Sequence, residues 1–414
     1  MNGPIITSDA VVLGMLVVIV GAVFYTRSLG GRWTTFYTFV PALLLCYLIP
    51  SLMNSFGLIS SQTSNLWPVA KDYFLPACLV LMTLSIDLKA ILGLGPKALV
   101  MFFTAVIGIV LGGPVAIFLV SLFSPETVGG EGMNAAWRGF STLAGSWIGG
   151  GANQTAMLEV YGYNPDRYAA MVAIDIVVAN LWMIFLLYGA GNPKPIDRWL
   201  RADTSAIDRL KDKMANYTAE MERPSSLVDF MMIAAVAMGT VGFSHFVADL
   251  VAPAFASVAG LSDTILANKF FYVVVVSTTI GLGLSFTRVR ELEGAGASKI
   301  GSVFIFMLVA IIGTKMDVFR IADAPLLFLV GIIWMLFHVA LLLTVAKVIR
   351  APFFFVAVGS KASVGGAASA PVVAAAFHPA LAPVGVLLAV LGYALGTYGA
   401  ILCAEMMRLV APGG

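Results

Sequence analysis

Charged side chains are scarce in this sequence: Asp, Glu, Lys and Arg make up 11% of its 414 residues, against 60% hydrophobic. With a mean hydropathy of +0.95, that scarcity excludes a soluble multidomain protein, because no polar stretch between the apolar runs is long enough to fold as a soluble domain. The formal net charge of +2 is too small to draw a nucleic acid. Cysteine is nearly absent. Cys46, Cys78 and Cys403 all fall inside apolar runs, which rules out a disulfide framework and leaves them as small core residues. Histidine is as rare, and His245, His338 and His378 share no metal-ligand spacing, so packing or interface roles are expected for them. No Lys or Arg precedes the first apolar run, which is the wrong flank for a cleaved signal peptide and points to a retained first span.

What the chain has instead is apolar runs of transmembrane length. Ten are clear, near residues 10–25, 36–53, 75–91, 98–123, 169–188, 227–247, 270–286, 301–314, 325–348 and 384–402. Two more segments, 137–160 and 353–377, are apolar enough to enter a membrane but are interrupted by Gly, Ser, Asn and Pro. The central loop, 191–225, carries seven Lys and Arg, which places it in the cytoplasm by the positive-inside rule. If both broken segments are re-entrant hairpins, 17 of the 24 Lys and Arg share that side and both termini lie outside. If the first one crossed, the pairs Arg288/Arg290 and Lys347/Arg350 would no longer share a side with Arg27 and Arg32.

The broken segments also repeat. "GSWIGGGANQTAML" in the first half has a counterpart in "GSKASVGGAASAPVV" in the second, and "LMTLSIDLKAI" with Asp87 has one in "AIIGTKMDVFRI" with Asp317. Each half then holds five spans and one hairpin in the same order, and an odd span number turns the second half upside down. The expected fold is an all-α polytopic membrane protein of the inverted-repeat secondary transporter type, with repeats over 1–190 and 226–414. Residues 191–225 form a cytoplasmic linker, whose Ser205/Asp208 cap and stripe of Ile207, Leu210, Met214, Tyr217 and Met221 predict a surface helix.

Irregular backbone at membrane depth is tolerated only where it is buried in protein or lines a polar cavity. Three consecutive glycines cost a helix roughly 1 kcal/mol each relative to alanine, so the hairpin glycines mark a site, although small residues also serve close helix packing. Each arm of about 11 residues reaches roughly 16 Å, half the hydrocarbon core, so both tips are expected near the midplane. Helix N-termini there favour an anion, and Gly149, Gly150, Gly151, Asn153, Gln154, Ser360, Lys361, Gly365 and Gly366 are the substrate-binding candidates. Oxygen-bearing Thr155, Ser363, Asn180 and Asp175 are the ion-coupling candidates, with Asp175 the one acidic ligand for a coupling Na⁺ or a proton carrier. Lys361 either neutralises a substrate carboxylate or snorkels to the surface. Asp87 and Asp317 lie beside Lys89 and Lys315, where ion pairing or gating at a cavity mouth is expected.

The motifs "STLAGSWIGGGANQTAM" and "VGSKASVGGAASAPVVAAAFHP", with "DIVVANLWM" between, resemble the YjcL-like family of bacterial and plastid membrane proteins, a domain of unknown function. More distantly, the layout is similar to that of sodium/glutamate symporters. That second resemblance is architectural and implies Na⁺-coupled uptake of a small organic anion by alternating access, without enzymatic activity. The alternatives are a cation/proton antiporter using Asp175 and, remotely, an intramembrane hydrolase using Ser360 and Lys361. The expected setting is a bacterial cytoplasmic membrane. The partners are a small-molecule substrate, the lipid bilayer and, as an option, a second copy of the chain, with no cofactor beyond Na⁺ or H⁺.

Overall fold

The computed structural model describes residues 5–40, 42–59, 64–205, 207, 210, 224–258, 261, 262, 264–316 and 325–413. The linker helix expected over 205–221 falls almost wholly outside these, as does Asp317. Among the described residues the architecture is helical, and the one β-type pairing is an isolated bridge between Ile6 and Ile59. We number the main helices α1 (Asp9–Ser28), α2 (Ala42–Ser55), α3 (Leu75–Leu84), α4 (Pro96–Ser121), α5 (Ala136–Tyr161), α6 (Pro165–Gly191), α7 (Leu227–Ala256), α8 (Lys269–Leu284), α9 (Ala297–Gly313), α10 (Leu326–Ile349), α11 (Phe353–Ser363), α12 (Gly366–Phe377) and α13 (Ala382–Val410). Local sequence sets several ends. Ser226 and Asp229 cap α7 reciprocally, and Asn164 accepts from Asp166 N–H at 3.0 Å ahead of α6, with Pro165 in its first turn.

Among the described residues, six helices, α1, α4, α6, α7, α10 and α13, are long and apolar enough to cross a membrane. Four of the ten expected spans correspond to shorter elements: α2 with 14 residues, α8 with 16, α9 with 17, and α3 with ten residues after a π-helical turn. Fourteen residues reach about 21 Å, short of the roughly 30 Å hydrocarbon core. Apolarity overstates such spans because it continues past helix ends. Beyond α8 the chain bends by 95° into the 3₁₀ segment Arg288–Ala295.

The helices segregate into two bundles. α4, α5, α6, α10, α11, α12 and α13 pack mainly on one another, and α1, α2, α3, α7, α8 and α9 do the same; α3 and α8 meet α5 and α13 along a sparser join. In the second bundle α1 lies on α2 and α9, while α7 lies on α8 and α3. The first bundle is seamed by glycine against aromatic. A Cβ on Gly112 would come within 2.5 Å of the Trp334 ring, whose indole N–H donates to the Ile109 carbonyl at 2.8 Å. Trp147 then packs edge-on to Trp334 with centroids 5.1 Å apart.

Both broken segments are hairpins. α5 breaks at Gly150, where φ is 74° and ψ is −172°, a conformation that side-chain-bearing residues rarely adopt. A Cβ on Gly145 would lie 2.5 Å from the carbonyl oxygen of Asn153, eight residues further on, whereas an unbroken helix separates such positions by about 12 Å. At the other end of the arms, the Trp137 and Tyr161 rings meet at 5.3 Å, and the Arg138 guanidinium donates to the Tyr161 carbonyl. The second hairpin turns at Gly365 and Gly366, with φ of 120° and 57°. Phe353 and Phe354 at its start lie 6.0 and 5.3 Å from Phe377 at its end, and Asp197 of the central loop accepts from Phe353 N–H at 2.7 Å.

α13 fixes how the hairpins face each other. It starts just past the base of the second and ends beside the base of the first, where Tyr161 donates to Glu405 at 3.1 Å. The two bases therefore lie at opposite ends of a helix of 29 residues, about 43 Å long. Both tips reach its middle. A Cβ on Gly392 would meet the Ile148 carbonyl oxygen at 2.7 Å and that of Ala362 at 3.5 Å.

Candidate functional site

Backbone-to-backbone contact at Gly149 and Gly396 brings the first tip onto α13: a Cβ on Gly396 would sit 2.5 Å from the Gly149 Cα. Asn153 locks this approach. Its amide donates to the Gly149 carbonyl at 3.0 Å and to the Tyr393 carbonyl at 3.2 Å, and its oxygen accepts from Thr397 Oγ1 at 2.6 Å. Thr397 in turn meets Thr278 of α8 at 3.1 Å, so the chain of hydroxyls joins the two bundles. Asn153 thus acts as a clamp, with both amide hydrogens and one lone pair of its oxygen used. Tyr393 also borders both tips: its ring lies 3.5 Å from a Cβ built on Gly150 and 3.9 Å from one built on Gly366.

Two opposite charges are buried at α6, one on the helix and one against it. Asp175 is 7% exposed; one of its oxygens accepts from Ser146 Oγ and the other from Trp147 Nε1, both at 2.7 Å. Both donors come from the first arm of α5. Lys361 is 2% exposed and donates to the Ala179 carbonyl, one turn along α6, at 3.1 Å. Among the described residues neither enters an ion pair within 4.0 Å, yet each lies in the other's electrostatic field. A buried ammonium and a buried carboxylate that do not touch are costly unless something else compensates them.

The second hairpin is tied down by a polar chain that the sequence does not reveal. His338 Nδ1 lies 3.1 Å from the Ala105 carbonyl, and Nε2 lies 2.8 Å from Ser360 Oγ. A carbonyl only accepts, so Nδ1 carries the proton of the neutral ring and Ser360 donates to Nε2. Trp182 Nε1 donates to the same Ser360 oxygen at 2.8 Å. His338, expected to pack, is thus the anchor of Ser360.

The remaining candidates divide. Thr155 donates to Gly151 O at 3.0 Å, Ser363 to Ser360 O at 3.0 Å and Asn180 to Ile176 O at 2.8 Å, each within its own segment. Gln154 is wholly buried and neither of its amide atoms has a partner, although it lies beside Asp175. At the second tip Gly365 is exposed, and a Cβ built there would lie 2.3 Å from Ser369 Oγ and 3.1 Å from Lys361 Nζ. Ser369 Oγ is likewise buried without a partner. Asp87 caps its own turn and pairs with Arg290 at 2.8 Å, not with Lys89, and Lys315 sits over the Trp67 ring at 4.8 Å. His245 Nε2 bonds the Asp72 carbonyl at 2.8 Å.

Residues 14–410 match the family described as "Protein of unknown function (DUF819)". The chain belongs to that family. It is also similar to "Uncharacterized membrane protein YjcL" of Bacillus subtilis (strain 168), with 24% identity over 347 residues that cover 81% of this chain and 82% of that protein. The resemblance carried by the hairpin motifs is therefore a family membership spanning nearly the whole chain. Together with the six full-length apolar helices, it makes this DUF819 protein an integral, multi-pass membrane protein.

Proposed function

We propose that this DUF819 protein is a secondary active transporter that couples uptake of a small organic anion to Na⁺ by alternating access. The observation that carries the reading is the meeting of two hairpins, based at opposite ends of α13, at its middle, with one buried carboxylate and one buried ammonium beside the tips. A tip built from glycine offers backbone groups to a ligand, and the α12 N-terminus adds the positive end of a helix dipole beside Lys361. A substrate carboxylate is read as taking Lys361 Nζ, Ser369 Oγ and the N–H groups at Gly366, with a coupling Na⁺ near Asp175. No enzymatic role is needed: Ser360 and His338 are wholly buried and Trp182 closes the serine oxygen.

Packing supports the inverted five-plus-five repeat on which alternating access would depend. α1 on α2 and α9 has its counterpart in α7 on α8 and α3, and the equivalent pairs α3/α9 and α4/α10 pack on each other. The two bundles are then the bodies that move, with the Thr278–Thr397 contact at their join.

The test is a thermal-shift screen of the purified protein against amino acids, short peptides and carboxylates with and without Na⁺, followed by uptake of the hits into proteoliposomes under an imposed Na⁺ gradient. Uptake that collapses when the gradient is removed supports symport. Proton counterflow driven by Na⁺ with no organic solute would instead assign a cation/proton antiporter working through Asp175.

A further inference from the structure

Beside Asp175, four buried polar atoms have no partner. They are the phenol oxygens of Tyr47 on α2 and Tyr168 on α6 and the two amide atoms of Gln154. Tyr47 is 1% exposed, and Tyr168, Gln154 and Thr155 are 0% exposed. The Tyr47 and Tyr168 rings meet at 6.4 Å, and Thr155 lies beside both phenols. Because the Thr155 hydroxyl proton goes to Gly151 O, its oxygen lone pairs are free to face the phenols. Leaving one such group unpaired costs about 1–3 kcal/mol, and burying several together needs an occupant.

The chemistry of the cluster narrows the occupant. It offers only oxygens, apart from the Gln154 NH₂, and one carboxylate already holding a single hydrogen bond on each oxygen. No His or Cys is part of it, which disfavours transition metals, and a single negative charge is too little for a divalent ion. We propose that Tyr47, Tyr168, Gln154 and Thr155, with Asp175, form a binding site for one monovalent cation of Na⁺ size. The site adjoins the tip of the first hairpin, where Thr155 bonds the Gly151 carbonyl, and it draws ligands from α2 of one bundle and from α5 and α6 of the other. A cation there would neutralise Asp175, and an anion at the second tip would neutralise Lys361. Either ligand alone leaves one buried charge uncompensated; both together leave none, so each raises the affinity of the other. This last consequence rests on the symport reading above, whereas the cation site does not.

The experiment measures Na⁺ binding to the detergent-purified full-length protein by a ²²Na⁺ scintillation proximity assay, with Li⁺, K⁺ and choline as competitors. Melting temperatures are recorded for the wild type, Tyr47→Phe, Tyr168→Phe and Thr155→Val. Each Phe variant removes a phenol oxygen whose only polar neighbours are other members of the cluster, so the melting temperature without Na⁺ is expected to change little. Loss of one ligand to a charged group is expected to weaken Na⁺ binding about tenfold or more. Unchanged Na⁺ affinity in both Phe variants, or no competable Na⁺ binding by the wild type, would overturn the site and leave the cluster a pocket for water. If one variant does not fold, the other two decide the question. Na⁺-driven uptake with unaltered Na⁺ affinity in the variants would refute this site while leaving symport standing; Na⁺ bound here with no anion uptake would do the reverse.

Discussion

The two hairpins begin from similar sequence and end as opposites. The first has its charge supplied from outside: Ser146 and Trp147 reach out to Asp175 on α6, and Asn153 bolts the tip to α13 with two hydrogen bonds and closes it on the Gly149 carbonyl with a third. The second carries its own charge, Lys361, and its tip is less tightly packed, with Gly365 exposed and a Cβ on Gly366 meeting only Tyr393, at 3.9 Å. The first is anchored at its tip. The second is anchored along its arm, through Ser360 to His338 and Trp182. Under the proposed transport reading, the rigid hairpin shapes a cation site and the looser one meets an anion.

Substitutions at the tips should separate the two most sharply. Gly396→Val forces a side chain into the Gly149 backbone, and overpacking that cannot relax is expected to cost about 3 kcal/mol or more. The variant should lose its monodisperse peak in size-exclusion chromatography. At the second tip, Gly366→Ala meets nothing closer than 3.9 Å, so only the φ of 57° opposes it and the cost is held to about 1 kcal/mol. Equal destabilisation at both tips, read from melting curves, would break the contrast.

Removing Asn153 comes next. Asn153→Ala strips the acceptor from Thr397 and the donor from two carbonyls, an expected loss of about 2–3 kcal/mol. Ser363→Ala removes a hydroxyl that bonds only its own helix and should stay within about 0.5 kcal/mol. Ser360→Ala falls between them at about 1–2 kcal/mol, since it leaves the Trp182 N–H and His338 Nε2 buried and unpaired. Denaturant titration in detergent ranks the three.

The smallest effect is expected at the base of the second hairpin. Ser205, with Lys97 at 3.2 Å, holds the Asp203 carboxyl down to about 2, below the ordinary 3.8. A carboxyl lowered in the folded protein adds stability above about pH 4 that is lost as pH falls toward 2. Because this pair is exposed, Asp203→Asn should move the melting temperature at pH 7 by no more than about 1 °C.

Local signals in the sequence locate the hairpins well. Residues 137–160 and 353–377 were marked by Gly, Ser and Pro inside apolar runs, and the arms occupy Ala136–Tyr161, Phe353–Ser363 and Gly366–Phe377. Asp175 and Lys361 stood out because charge is rare in apolar sequence. What sequence could not supply was partnership across distance. Tyr47 and Tyr168 look like ordinary aromatic residues within or beside membrane spans, and only the folded chain puts their oxygens beside Gln154. His338 and Ser360, or Asp87 and Arg290, are likewise joined by packing and not by spacing. The sequence does not show that α2, α3, α8 and α9 are shorter than the other apolar helices, because apolarity does not report where a helix bends or stops.

The central claim is that two hairpins from opposite sides of the membrane share one site at the middle of α13. Cross-linking tests it most directly, in intact membranes, with Cys46, Cys78 and Cys403 replaced and single cysteines placed beside each tip as Gly151→Cys and Ala367→Cys. The account predicts that a short bifunctional maleimide joins the two within one chain, and that a control pair of Gly151→Cys with Phe243→Cys, on the exposed face of α7, stays unlinked. Absence of the tip-to-tip cross-link, with each cysteine still labelled singly by the same reagent, would contradict it.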